Sequence, residues 1–425
     1  MCFGKKMAAM ALALVALGGA SALRAQDAEL ILLEGAAAGF AVSAQDVTPD
    51  GATVVGTSEG RVFRWTEGGG VEFLSPSEYF YTIKAAVSDD GSVIASTLVD
   101  DATFTVSAAR WTQPGGWTFL GCLPGAPPTP DSPGQCSTAW DISGDGSILV
   151  GLGWHGDTYD AEAFRWTQAT GMVGLGRPAE FSSRATAIAA IGTVAGGFFE
   201  DETAGYRRPA RWFGIGPVDF FLGANTYGEV GGISSTGEWT TGAALLLDEN
   251  GYPLPPWTVQ KAFLYSEATG FQYVLPTRDF DSTGSEWQAG GNGVADNGMV
   301  VGWSGSPGPW GGSLVPSLYC PGQERMFDFA RLLAGAGAAV PIDVQIVSAV
   351  AVTPDGRTIV GQAFDSETYL YVPYVARFAV DPCTPYVQPS LLEIPTLGVW
   401  GFVALTFALA AVALFTLRRR TARTR

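Results

Sequence analysis

Histidine is nearly absent from this 425-residue chain: His155 is the only one. That excludes a metal centre ligated by several histidines, and any Ser-His-Asp arrangement would have to use His155, which sits in a Gly-rich loop and reads as a solvated residue. Charge is also scarce, at 15% of residues. With 13 tryptophans and 56 glycines beside it, that composition describes a turn-rich, aromatic-rich folded body and excludes a disordered polyelectrolyte. Basic residues are few where they would matter for nucleic acid. Apart from Lys5, Lys6, Arg24 and the five arginines of the tail, 16 basic residues face 41 acidic ones, a formal charge of −25 over residues 26–393. Such a body repels nucleic acid and anionic lipid, and the charge serves solubility outside the cell or cation binding.

Long apolar runs occur only at the two ends. Lys5 and Lys6 precede an apolar stretch from Met7 to Ala20 and small residues through Ala25, the pattern of a secretory signal over residues 1–25. Near the other end, Val399 to Leu417 is uncharged over 19 residues and is followed by Arg418, Arg419 and Arg420. This predicts a transmembrane helix with a cytoplasmic arginine anchor and the body outside. Four cysteines remain after signal removal, an even number that suggests disulfides in an exported protein. Cys122 and Cys136 bracket a Pro-rich loop, which leaves Cys320 with Cys383 by default.

Between the ends a phrase recurs seven times: a small apolar run, an Asp-Gly or similar turn, a Val-Val-Gly strand, and usually an aromatic-Arg-Trp step. The turn glycines are Gly51, Gly91, Gly146, Gly192, Gly237, Gly298 and Gly356, 40 to 61 residues apart. Four strand-like pieces at that spacing predict the blades of an all-β propeller over residues 26–380, seven-bladed, with six or eight as alternatives. Residues 381–393 read as a linker. The seventh unit lacks a fourth strand after Arg377-Phe378, whereas Leu30 to Gly35 precedes the first unit and resembles Val71-Glu72-Phe73-Leu74. The N-terminal segment is therefore expected to pair into the last blade and close the ring.

Two resemblances add expectations. Ile394, Pro395, Thr396, Leu397, Gly398, Trp400 and Gly401, followed by the apolar span and arginines, resemble the IPTL-type C-terminal sorting domain of Gram-negative bacteria, across residues 394–425. That resemblance implies recognition and processing by an exosortase-type membrane protease, after anchoring in the inner membrane, and an address at the cell surface or beyond. The repeats resemble the HAF-type extracellular repeats, best at Ala163-Phe164-Arg165-Trp166 and Ala262-Phe263-Leu264-Tyr265. The family histidine is replaced there by Glu162 and Lys261, so no role for it transfers.

For chemistry, alternation along a strand puts Trp and Arg of the recurring step on opposite faces, so Trp fills the space between blades while Arg meets acids or solvent. The Asp-Gly turns offer oxygens, yet none has the spaced Asp/Asn series with a terminal Glu of a calcium loop; no cofactor or other metal is implied, and calcium is the alternative. Loops between second and third strands vary most and should share one face of the disc with the connections between blades. Trp154, Trp257, Trp303 and Trp310 lie on or near them and form the candidate binding face, suited to a surface glycan or a protein partner. The expected function is an exported binding or display module; the alternatives are a propeller-type enzyme acting on extracellular glycan, or a structural surface component.

Overall fold

The computed structural model describes residues 27–384 apart from 76–83, 101–103, 125–133, 156–159, 177–181, 202–205, 217, 224 and 307–313. The signal-like segment, the sorting motif, the apolar span at Val399–Leu417 and Trp310 lie outside them. Among the described residues, no helix is long and apolar enough to cross a membrane.

Each of the first six recurring phrases forms one four-stranded antiparallel sheet and the seventh supplies three strands of another, so the described residues hold seven such sheets. In blade 1 the strands are Val42–Val47, Thr53–Ser58, Arg61–Thr66 and Gly70–Phe73, counted outward from the axis. The first hairpin is set by local chemistry. Thr48 Oγ1 donates to Asp50 Oδ1 at 2.6 Å, the Ala52 N–H donates to the same oxygen at 2.9 Å, and Gly51 takes a φ of 69° that a side chain would resist. Ser88 with Asp90, Ser143 with Asp145 and Thr353 with Asp355 repeat the arrangement. These turn carboxylates thus shape hairpins, and their hydrogen bonds hold Asp50, Asp90 and Asp145 below the usual carboxylate range.

Blade 7 is closed as the sequence predicts. Ala28–Leu32 is its outermost strand, antiparallel to Leu370–Phe378 in the register Ala28 to Phe378 through Leu32 to Tyr374. Both expected disulfides, Cys122–Cys136 and Cys320–Cys383, are present. The compact unit runs to Cys383, just beyond the expected linker boundary.

The core is divided among the seven interfaces between neighbouring blades, each with its own apolar cluster. Trp65, Trp111, Trp166 and Trp212 of the recurring step are buried in four of them. Three arginines of the recurring step reach towards the next blade. Arg377 Nη2 donates to the Gly51 carbonyl at 3.0 Å, Arg110 Nε to the Gly146 carbonyl at 3.4 Å, and Arg64 Nη1 to Gln113 Oε1 at 3.3 Å. In blades 1, 2 and 3 the Trp is buried and the Arg only partly so, as alternation predicts, whereas Arg211 of blade 4 is itself buried and pairs with Asp219 and Glu267.

One element was not foreseen. Phe329–Gly335 is an α-helix, capped by Asp328, whose carboxylate accepts from the Arg331 N–H at 3.2 Å. The outermost strand of blade 6 is only Phe327–Asp328, and the helix continues the cover by burying Phe329 and Leu333 between blades 6 and 7.

Candidate functional site: the axial cavity

Innermost strands of a propeller do not pair with one another, so their backbone groups need partners from elsewhere. Here side chains from the preceding blade supply several. Asp46 accepts from the Val47 N–H with Oδ1 and from the Val87 N–H of blade 2 with Oδ2, both at 2.8 Å, while Gln45 Oε1 accepts from the Ala85 N–H at 2.7 Å. Asp141 does the same between blades 3 and 4, accepting from Ile142 and Ile188 at 2.9 and 2.8 Å. Asn292 Nδ2 donates to the Ala349 carbonyl of blade 7 at 2.9 Å.

Six of the seven innermost strands carry a β-bulge at the same place in the repeat, before the residue five positions ahead of the turn glycine. A bulge adds one residue to its strand and re-aims its side chain. The extra residues are Gln45, Trp140, Thr186, Gly231, Asn292 and Val350, and every one lines a single cavity of about 370 Å³ on the axis. Blade 2 has no such shift, and its contribution is Lys84, just before the strand Ala85–Val87. Asp46, Asp141, Arg184 and Glu229 complete the polar lining.

A second cavity of about 220 Å³ adjoins the first between blades 5 and 6 and shares Glu229, Gly231 and Asn292 with it. Glycine makes this room. Gly228, Gly231, Gly290 and Gly291 line it where other blades carry side chains, and Gly228 has a φ of 153° with no space for a Cβ beside the Ala243 carbonyl. Trp303 forms part of its wall, its indole so close over Gly290 that a Cβ there would lie 2.7 Å from Nε1. Tyr227, Gln260 and Arg207 line it as well. Because each innermost strand begins on the face where second-to-third-strand loops and blade connections lie, residues at strand starts such as Tyr227 and Glu229 put this cavity towards the variable-loop face.

The two cavities meet at a cluster of charge. Glu229 Oε2 accepts from Arg184 Nη2 and from Arg207 Nη1, each at 3.2 Å. The Arg184 guanidinium is sandwiched 3.9 Å from the Trp140 ring centroid and 4.8 Å from that of Phe198, and Arg207 lies 4.1 Å from Phe198. Stacking on aromatic faces fixes a planar guanidinium without consuming its in-plane donors. Arg207 also lies 3.6 Å from Glu200.

Asp46 behaves unlike an ordinary carboxylate. Burial, and then the nearby Asp141 carboxylate, push it up to about 7, against the opposing pull of the Val87 and Val47 N–H groups and Lys84. Burial raises Asp141 too, so the two titrate as a linked pair facing Lys84. The unfolded chain releases the Asp46 proton near 3.8, whereas the folded chain keeps it to about 7. Between those values unfolding is favoured increasingly as pH rises, and the effect is complete above about 7. Asp46→Asn removes this titration. The urea midpoint of the variant, relative to the natural chain, should climb from pH 4 to pH 7; a constant offset across that range would refute the assignment.

Of the tryptophans singled out from sequence, Trp303 alone among the described residues lines either cavity. Trp154 ends the second strand of blade 3 opposite Ala161, and Trp257 is half-buried with Lys261 Nζ 4.8 Å from its ring centroid. The positions of the missing repeat histidine are paired: Glu162 meets His155 Nε2 at 3.1 Å, and the fully buried Lys261 forms an ion pair with Glu286 at 2.6 Å. His155, expected to be solvated, is thus partly buried and paired. The bulge residues, Arg184 and Glu229 were missed. A signal existed in the position six before each turn glycine, which reads Gln, Ala, Trp, Thr, Gly, Asn, Val while its neighbours stay small and apolar in most units.

No family model and no curated protein matches the chain. Among solved structures it is similar to the β-propeller domain of the Trilobed protease from Pyrococcus furiosus, at 12% identity over 80% of this chain and 97% of that one, with a TM-score of 0.48. It is also similar to the Kuenenia stuttgartiensis hydrazine synthase (12% identity, 79% and 95% covered, TM-score 0.46). A third is the putative TolB from Agrobacterium tumefaciens (15% identity, 58% and 87% covered, TM-score 0.40). These likenesses carry no activity to the chain, and its own strand order, seven four-stranded sheets closed by the N-terminal strand, makes it a seven-bladed β-propeller.

Proposed function

We propose that this propeller is an exported binding module that seats a small polar ligand at the mouth of its axial cavity and is delivered to the surface through its IPTL-like C-terminus. The observation that carries the binding reading is the junction of the two cavities, where aromatic faces, amides and a guanidinium pair converge beside a glycine-walled void. Such a mixture of apolar walls and few oriented polar groups is what small-ligand sites share. Two disulfides agree with an oxidising compartment. The enzyme alternative is favoured by Asp46 and Asp141 facing one cavity. Both carboxylates, however, already accept two backbone N–H groups each, a role in joining blades.

Binding is tested on a glycan array with the full-length chain. Trp303→Ala should lose most of the signal and Trp154→Ala, which lines neither cavity, should keep it; no retention of the natural chain on any glycan would end the binding reading. Sorting is tested by replacing Pro395 and Thr396 with alanine and following size and release from cells. Unchanged processing would remove the sorting assignment.

A further inference from the structure

The joined cavities set three basic side chains against three carboxylates, Asp46, Asp141 and Glu229. Of the 16 basic residues between 26 and 393, Lys84, Arg184 and Arg207 all line the joined cavities. Solubility does not require this, because a chain with formal charge −25 in that region has no shortage of surface charge. Arg184 is largely buried and held between two aromatic rings, so its guanidinium is presented in a fixed plane. Arg207, nearly half-exposed, faces the same carboxylate from the solvent side.

That carboxylate, Glu229, is considerably exposed, at 38% of its side chain. It bridges both guanidiniums through a single oxygen, Oε2. The arrangement shows that a carboxylate fits between the two arginines. Beside it stand Trp303, a 39% exposed Tyr227, Gln260 and Asn292, around a void of about 220 Å³. The void is too small for a folded partner and suits a compact ring with one flat apolar side and several hydroxyls, for which aromatic faces and amides are complementary.

We infer that this junction binds a carboxylate-bearing sugar, a uronic acid residue of a glycan, whose carboxylate takes the place of Glu229 between Arg184 and Arg207 while the ring lies against Trp303 and Tyr227. The inference rests on the binding-module reading and adds the ligand class. Glu229 then acts as an internal competitor: it keeps the guanidiniums paired in the empty site and turns towards solvent when the ligand enters. Charge-assisted hydrogen bonds to two oriented guanidiniums supply the preference for an acid over its neutral counterpart.

The test is calorimetric titration of the full-length chain with oligogalacturonate and with glucuronate, against the neutral probes galactose and glucose and the non-sugar carboxylate glutamate. Acidic sugars should bind at least about tenfold more tightly than the neutral sugars or glutamate, and the difference should shrink with added salt. Arg207→Gln should weaken acidic-sugar binding about tenfold or more while the thermal midpoint moves little, since this side chain is nearly half-exposed. Glu229→Gln should tighten binding, an effect that a merely structural Glu229 would not produce. Equal binding of neutral sugars or of glutamate, an unaffected Arg207→Gln, or weaker binding by Glu229→Gln each overturns the inference. So does failure of both acidic probes, whereas the broader binding reading falls only if the glycan array retains nothing.

Discussion

Deleting Ala28–Ala36 from the otherwise complete chain should lower its thermal midpoint by more than about 10 °C and broaden the transition. The segment fastens the ring. Its first five residues pair with Leu370–Phe378, and Leu33 and Ala36 are buried in the cluster between blades 7 and 1, with Ile31 packed against it. Leu30 and Leu32 pack against the cluster between blades 6 and 7. Burial of each large aliphatic side chain contributes ~1.5–3 kcal/mol and each ladder hydrogen bond ~1 kcal/mol, so the loss exceeds about 6 kcal/mol. In a body of this size each kcal/mol moves the midpoint by about 2–4 °C or somewhat less. Leu33→Ala alone, which keeps the strand, should cost ~2–4 kcal/mol. A deletion variant melting within about 2 °C of the natural chain would show that the ring holds without its clasp.

The second large effect concerns the two disulfides and their order. Cys320–Cys383 spans 63 residues, enclosing the three inner strands of blade 7, and both cysteines are fully buried. Cys122–Cys136 spans 14 residues within one connection between blades. If cross-links act by restricting the unfolded chain, the longer loop stabilises by ~4 kcal/mol and the shorter by ~3 kcal/mol. The difference should widen in practice, because Cys320 and Cys383 themselves belong to the buried cluster between blades 6 and 7. Cys320→Ala with Cys383→Ala should therefore lower the denaturant midpoint more than Cys122→Ala with Cys136→Ala. The opposite order would place the C-terminal attachment outside the cooperative unit.

Both predictions concern features that could be read before any coordinates. In blades 1, 2, 3 and 7 the Thr or Ser, Asp and Gly of the first hairpin interact within five residues, so their chemistry is local and the turns could be placed from sequence. Blade count followed from the spacing of those turns, and closure followed from a missing fourth strand and a spare matching one. The helix at Phe329–Gly335 has no counterpart in the repeat from which the blades are read, although Asp328 is an ordinary N-cap residue.

The sequence by itself thus determined a sevenfold β-sheet repeat, its antiparallel blades, its clasp and an acidic body with two cysteine pairs, because each depends on near neighbours, periodicity or counting. Only the tertiary structure decided where a ligand could sit. Arg184 and Glu229 are 45 residues apart, and Gln45 and Val350 line one cavity from opposite ends of the repeat array. A one-residue bulge on six separate strands turns those side chains to a common axis, and the axis exists only once the ring is closed. Spacing from the turn glycine marks the bulged position, but the direction in which its side chain points is set by register against the partner strand.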